Sequence, residues 1–238
     1  MMDERERILA AYALRDERRG DRPRHFTFEG PSVVMQVHER FATTLRLLRT
    51  HGFHPLGGLR ILDVGCGDGM QLRQFVQWGA NPRDLAGIDL VEERVRRATA
   101  LAAAMDIRMG SATALPWPDA SFDLVCQETV FTSILDKGMH RQVATEMARV
   151  LKPGGAVLWY DFVYDNPRNP DVRGLPSQEI SALFPGFAAH LERITLAPPL
   201  ARRLPAGLLP IVYPLLAALP FLRTHRIGLL VKPQGGPR

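Results

Sequence analysis

Ile61-Leu-Asp-Val-Gly-Cys-Gly-Asp-Gly69, read together with Gly87-Ile-Asp-Leu90 about twenty residues later, decides the fold of this chain. The apolar run over 59–64 has the composition of a buried parallel strand, and a helical pattern takes over at Met70. Between them stand glycines at 65, 67 and 69. Glycine permits a sharp turn and lets the backbone come into contact with a ligand where a Cβ would obstruct it. A second strand over 84–90 delivers Asp89 beside this loop, where a carboxylate can accept hydrogen bonds from a ribose diol. The pattern points to a nucleoside-cofactor site.

Glycine spacing separates the possible cofactors. A dinucleotide loop has the form G-x-G-x-x-G or a closing Ala, which seats a pyrophosphate on the helix N-terminus. Here Met70 occupies the sixth position and the third glycine comes one residue early. The form from Asp63 to Gly69 resembles motif I of the class I S-adenosylmethionine-dependent methyltransferases. The resemblance continues in order through Asp89, through Gly110-Ser-Ala-Thr-Ala-Leu-Pro-Trp-Pro-Asp-Ala-Ser-Phe-Asp-Leu-Val125, and through Leu151-Lys-Pro-Gly-Gly155. It implies an α/β fold: a Rossmann-like, mainly parallel sheet of seven strands in the order 3-2-1-4-5-7-6, the last strand antiparallel, helices on both faces and an N-terminal helical cap. It also implies S-adenosyl-L-methionine as cofactor. By the same resemblance Asp63 and Gly65 hold the methionine moiety, with Cys66, Gly67 and Gly69 completing the loop. Asp89 takes the ribose, Leu90, Ser111 and Ala112 frame the adenine, and Gln127 borders the cofactor at the end of strand four. The family usually has an acid where this chain has Ser111; the neutral hydroxyl is expected to weaken binding by about 1 kcal/mol, the scale of one hydrogen bond. The implied activity is methyl transfer, and the alternative is a catalytically silent, cofactor-binding regulatory or scaffold protein.

A chain of 238 residues, 46 % of them hydrophobic, has room for one ordinary core with modest additions. That excludes the separate substrate domain of a typical dehydrogenase. Two cysteines, Cys66 and Cys126, and a charged opening without an apolar leader indicate a reducing, cytoplasmic setting. Both cysteines read as small packing residues. The net charge of +5 is uneven. Seven arginines between Asp3 and Arg24 are offset by six acids, whereas 187–238 holds seven Lys or Arg against the single acid Glu192. This excess favours an anionic substrate or a membrane surface near the C-terminal segment. No stripe of basic and aromatic residues suited to stacking bases is visible, so a nucleic-acid partner is not expected. Arginine outnumbers lysine 27 to 3, an echo of a GC-rich, bacterial genome.

Helical periodicity runs over 3–19, and a second helix is predicted over 32–51 with Val34, Val37, Phe41, Leu45 and Leu48 on its apolar face and Ser32 as its cap. Residues 1–54 thus form a helical cap on a methyltransferase domain over 55–238. Strands are predicted at 59–64, 84–90, 105–109, 121–127, 154–163, 187–197 and 225–232, and helices at 70–79, 91–104, 137–151 and 177–184. An insertion at about 198–222 includes nineteen uncharged residues from 204 to 222, interrupted by Pro205, Pro210, Pro214 and Pro220. Each proline removes a backbone donor, so the insertion reads as a broken apolar helix and not as a membrane span. Its expected role is a cap on the core, with a homodimer surface or a weak membrane-surface contact as alternatives.

Methyl transfer from a sulfonium is an in-line displacement whose leaving group is already activated, so the protein mainly aligns the reactants. A hydroxyl acceptor also needs a base, and no metal is required. No compact cluster of His or carboxylates has metal-ligand spacing. Two segments hold the candidate polar groups. After strand four, Glu128 is a candidate base, with Phe131 or Val130 as a wall beside the sulfonium. After strand five, Tyr160 and Asp161 are further candidate bases, and Asn166, Arg168 and Asn169, stiffened by Pro167 and Pro170, are candidate contacts to a polyhydroxylated or anionic acceptor. That loop is similar to one in bacterial methyltransferases encoded beside glycan and natural-product assembly enzymes, which favours a hydroxyl of a small molecule, sugar or glycolipid over an N or C acceptor. His38, on the cap helix, is a last candidate. After strand four there is no Asn/Asp-Pro-Pro-Tyr motif, which speaks against base N-methylation.

Overall fold

Strand β1, Ile61–Val64, is buried at every position, as a parallel strand covered on both faces must be. The computed structural model describes residues 3–20, 30–167 and 169–235. The remaining strands are β2 (Leu85–Asp89), β3 (Asp106–Met109), β4 (Phe122–Glu128), β5 (Leu151–Phe162), β6 (Ala188–Leu196) and β7 (Arg223–Val231). They form one sheet in the order β3-β2-β1-β4-β5-β7-β6. All pairs from β3 to β5 are parallel, and β7 runs antiparallel to both β5 and β6. The order and the antiparallel strand agree with the expected fold.

Helices α1 (Glu4–Gly20) and α2 (Pro31–Thr50) precede the sheet; α3 (Met70–Gln77), α4 (Glu92–Leu101), α5 (Lys137–Val150) and α6 (Ser177–Leu183) follow the crossovers. Alternation along the strands assigns the two faces. Val157 and Trp159 of β5 pack with Val143, Ala144 and Met147 of α5 and Ile180 of α6. Leu158 and Tyr160, one residue out of phase, pack with Leu47 and Leu48 of α2 and Leu72 and Phe75 of α3. Each Leu or Phe removed fully from water on these faces contributes about 1.5–3 kcal/mol. The cap helix α2 is therefore part of the wall of the main core.

Several boundaries depart from the sequence reading, and α4 for one ends at Leu101, three residues before the predicted 104. Ser32 is not the cap of α2: Gly30 is, with Pro31 in the first turn, and Ser32 is buried. Proline's fixed φ suits that first position, so the helix starts without a side-chain cap. β5 begins at Leu151, three residues early, because Leu151 pairs with Phe122 and an irregularity between Phe122 and Leu124 absorbs the Lys-Pro-Gly that follows. β7 begins at Arg223, where it pairs with Leu196.

The insertion between β6 and β7 is a broken helix, as its prolines require: α7 (Pro198–Ala201) and α8 (Leu209–Ala217), with Pro214 inside α8. Among the described residues no helix is long and apolar enough to cross a membrane.

Candidate functional site

The bend after β1 is held by backbone. The amides of Gly65 and Cys66 donate to Ile88 O at 2.8 and 3.0 Å, and the amide of Gly67 donates to Asp89 Oδ2 at 2.9 Å. The other oxygen of Asp89 accepts from the Val91 amide at 2.9 Å. Asp89 thus ties the glycine loop to the start of α4, and each of its oxygens keeps a further lone pair. Gly65, Gly67 and Gly69 all have positive φ, of 74°, 56° and 79°, which only glycine adopts without strain. Gly69 is the N-cap of α3.

Over this loop lies a cavity of about 730 Å³, a size suited to a nucleoside-sized ligand. One end is lined by Asp89, Leu90, Ser111 and Ala112, the floor by Gly65 and Gly67, and the far wall by Glu128, Thr129 and Val130. A Cβ built on Gly67 would meet no protein atom within 4 Å, so the space above it is open. A Cβ on Gly65 would collide with Val130 Cγ2. Six of the ten expected cofactor residues, namely Gly65, Gly67, Asp89, Leu90, Ser111 and Ala112, line this one cavity.

The other four do not line it. Asp63 is 2 % exposed, and its carboxyl is pushed well above the usual range by burial and by the neighbouring charges of Glu128 and Asp89. Cys66 turns its thiol toward β2, where a Cβ on Gly87 would come within 2.8 Å of Sγ. Burial and Asp63 push that thiol up as well, and Cys126 is buried and free like it. Gln127 is fully buried; its Oε1 accepts from the Val130 amide at 3.1 Å and shapes the loop after β4. Gly69 acts by capping α3. The Ser111 hydroxyl lies 2.8 Å from Thr113 Oγ1 and accepts from the Thr113 amide at 3.3 Å, so a pair of hydroxyls occupies the adenine end.

Of the four candidate bases, Glu128 alone lines the cavity. Burial raises its proton affinity, and Arg40 of α2, with Nη1 at 3.0 Å from Oε2, opposes that rise. Tyr160 is corrected to a packing residue. Its ring stacks on His225 at 4.8 Å, its hydroxyl lies 3.0 Å from Thr195 Oγ1, and burial pushes its pKa to about 12. Asp161 is fully buried on the opposite face of β5 and accepts from the Thr132 hydroxyl at 2.5 Å and from the Phe162 amide at 2.9 Å. Its pKa is raised to about 7, first by burial, against these hydrogen bonds. His38 is exposed and lines a second cavity of about 640 Å³, which shares Asp68 and Met70 with the first.

The expected acceptor contacts also move. Phe131 is fully buried against Trp159 at 4.7 Å, leaving Val130 as the wall. Asn166 and Asn169 lie outside the cavity lining, in a loop that folds on itself: the Asp171 amide donates to Asn169 Oδ1 and the Gly174 amide to Asp165 Oδ1. The loop is also tied to the core through the Arg173 amide and Thr132 O at 2.9 Å. Arg168 lies outside the described residues.

Sequence reasoning missed Arg40, and Ile8 and Tyr12 of α1, which line the cavity. Arg40 had a signal: it shares the inward row of α2 with Val37, Phe41, Thr44 and Leu48. A cation on an apolar row implies a buried counter-charge. Tyr12 lies under the guanidinium of Arg94, 4.3 Å from its ring centroid, a pairing between helices far apart in sequence.

Comparison with known proteins agrees with this geometry. The Methyltransferase domain family matches residues 62–159. The chain is 32 % identical over 157 residues to the 27-O-demethylrifamycin SV methyltransferase of Amycolatopsis mediterranei, covering 63 % of this chain and 54 % of that one. It is 32 % identical over 152 residues to a probable S-adenosylmethionine-dependent methyltransferase of Mycolicibacterium smegmatis, covering 58 % and 55 %. The chain thus spans about half the length of these curated relatives. The YcgJ protein of Bacillus subtilis shares the fold, with a TM-score of 0.58 at 22 % identity over 81 % of this chain and 100 % of that one. The glycine loop and Asp89 fall within residues 62–159, the stretch that matches the Methyltransferase domain family, and the strand order is the one the resemblance to class I S-adenosylmethionine-dependent methyltransferases implied.

Proposed function

We propose that this chain transfers a methyl group from S-adenosylmethionine to a hydroxyl of a small molecule, sugar or glycolipid intermediate. The observation that carries this reading is Glu128, a carboxylate on the cavity wall whose proton affinity is raised by burial. An amine acceptor needs only to be neutral, whereas a hydroxyl needs a group to take its proton. The O-methylation named for the rifamycin enzyme of Amycolatopsis mediterranei supports the same choice.

The cavity fits the cofactor. Asp89 would hold the ribose diol, Leu90, Ser111 and Ala112 would frame the adenine, and the open space over Gly67 would admit the chain between them and Val130. When bound, S-adenosylmethionine supplies a methyl carbon on a positively charged sulfur that needs no further activation. Val130 and Thr129 would then orient the acceptor, and Glu128 would accept the hydroxyl proton as the oxygen bonds to carbon. Arg40 favours the ionised form of Glu128 against the burial that raises its proton affinity.

The test is turnover with isotopically labelled S-adenosylmethionine across a panel of hydroxylated acceptors, with the position of the label fixed by NMR. Label on oxygen, and a Glu128→Gln variant that keeps cofactor affinity but loses turnover, are the expected results. Label on carbon or nitrogen would overturn the hydroxyl reading. Tight binding of S-adenosylhomocysteine without turnover of any acceptor would favour the silent, cofactor-binding alternative.

A further inference from the structure

The insertion after β6 presents an apolar stripe to solvent. Leu208, Ile211, Leu215 and Leu219, spaced by three or four residues, are 52, 63, 66 and 41 % exposed, and Phe221 beyond them is 68 % exposed. Leu209, Tyr213 and Ala217 on the opposite side of α8 are at most 5 % exposed and pack with Leu196 and Ala201. The helix is thus apolar all round although one side faces water, which is unusual for a surface helix of a globular domain. Folding has used the inner side and left the outer side without a partner among the described residues.

Charge identifies what covers it. No Asp or Glu follows Glu192 in the sequence, and the stripe is flanked by Arg202, Arg203 and Arg223. Arg203 is exposed. A second copy of this chain would set the same cations against one another across an isologous contact, which opposes self-association. An anionic bilayer offers hydrocarbon to the stripe and negative charge to its rim. A helix of nine residues rises only about 14 Å, short of the roughly 30 Å hydrocarbon core, so it can lie in the interface but not cross it. We propose that α8 and its flanks dock this protein on an anionic lipid bilayer, with Leu208, Ile211, Leu215, Leu219 and Phe221 inserted at the headgroup boundary.

The position gives this docking a consequence for the cavity. β6 ends at Leu196, paired with Arg223 at the start of β7, and His225 pairs with Phe162 at the end of β5, so the insertion rises from the end of the sheet that carries the cofactor loop. Tyr213 of α8 donates to Glu39 Oε2 of α2 at 2.6 Å, and the next residue, Arg40, holds Glu128. Two consecutive residues of α2, Glu39 and Arg40, thus stand between Tyr213 of the insertion and the candidate base. It does not depend on the hydroxyl reading, since binding to lipid is read without turnover.

The experiment is co-sedimentation of the full chain with vesicles of phosphatidylcholine alone or mixed equally with phosphatidylglycerol, at low salt and at 1 M salt, where the Debye length is about 3 Å. The expected result is pelleting with the mixed vesicles, about tenfold or more weaker with phosphatidylcholine or at high salt. An Ile211→Glu, Leu215→Glu double variant should lose it while keeping its melting temperature and S-adenosylhomocysteine affinity, since both side chains are exposed. A Phe221→Ser variant provides the same reading should the double variant not fold. Absence of pelleting with mixed vesicles at low salt, or pelleting that both variants retain, would overturn the proposal. A lipid-free dimer that the variants dissociate would do so too, by giving the stripe to a second copy.

Discussion

Arg40 Nη1 lies 3.0 Å from Glu128 Oε2, an ion pair that joins the cap helix α2 to the last residue of β4. Both side chains are largely buried, at 11 and 22 % exposure. The same guanidinium sits over the ring of Tyr160 at 5.1 Å. Its position sets α2 against the candidate base and opposes the effect of burial on that carboxylate.

Replacing Arg40 by Gln removes the cation that lowers the Glu128 pKa, leaving burial to raise it further. Turnover needs the ionised carboxylate, so the acidic limb of the kcat profile should move to higher pH. A pH profile with an unmoved acidic limb would separate Glu128 from proton transfer.

The role of Asp89 can be read by calorimetry. Asp89→Ala removes the carboxylate that faces the cavity and also the partner of the Gly67 and Val91 amides. Two charge-assisted hydrogen bonds to the ribose, at about 1.5–3 kcal/mol each, predict at least a hundredfold loss of S-adenosylhomocysteine affinity. Unchanged affinity would contradict the pocket assignment.

Gly67→Val tests the open space above the loop. No protein atom lies within 4 Å of the added Cβ, although the φ of 56° strains the residue by about 1–2 kcal/mol. The variant should fold with a lowered melting temperature and bind no cofactor, because the valine fills the cavity.

Ser111→Asp should tighten cofactor binding about fivefold or more by offering the adenine amino group a charged acceptor in place of the hydroxyl now engaged with Thr113. Competition binding with S-adenosylhomocysteine against the parent protein measures it. Weaker binding would show that adenine does not lie at this end.

Asp161 predicts a pH dependence of stability. Its folded pKa of about 7 lies above the ordinary aspartate value of 3.8, so the folded state holds the proton more tightly than the unfolded chain. Stability should therefore fall as pH rises from about 4 to about 7, by up to about 4 kcal/mol, and level off above. Asp161→Asn should flatten the melting temperature over that window and retain turnover, since residue 161 does not line the cavity. Lost turnover in a folded Asn variant would return Asp161 to the catalytic candidates.

The sequence by itself determined the sheet, the bend after β1 and the carboxylate at its side. These are local matters: alternate glycines must adopt positive φ, apolar runs must become buried strands, and Asp89 lies two residues beyond Gly87, on the strand that Cys66 packs against. Tertiary structure decided which polar groups face the cavity. Alternation puts Tyr160 and Asp161 on opposite faces of β5, and the helices packed there enclose both, while Glu128 at the strand end stays at the cavity wall. In the Asn-rich loop Asn169 and Asp165 are spent on the loop's own amides, which spacing alone does not reveal. The partner of Glu128 comes from a helix 88 residues earlier in the chain, set there by how α2 packs on the sheet. Long-range pairing of charges follows from packing, and packing is not written in any one segment.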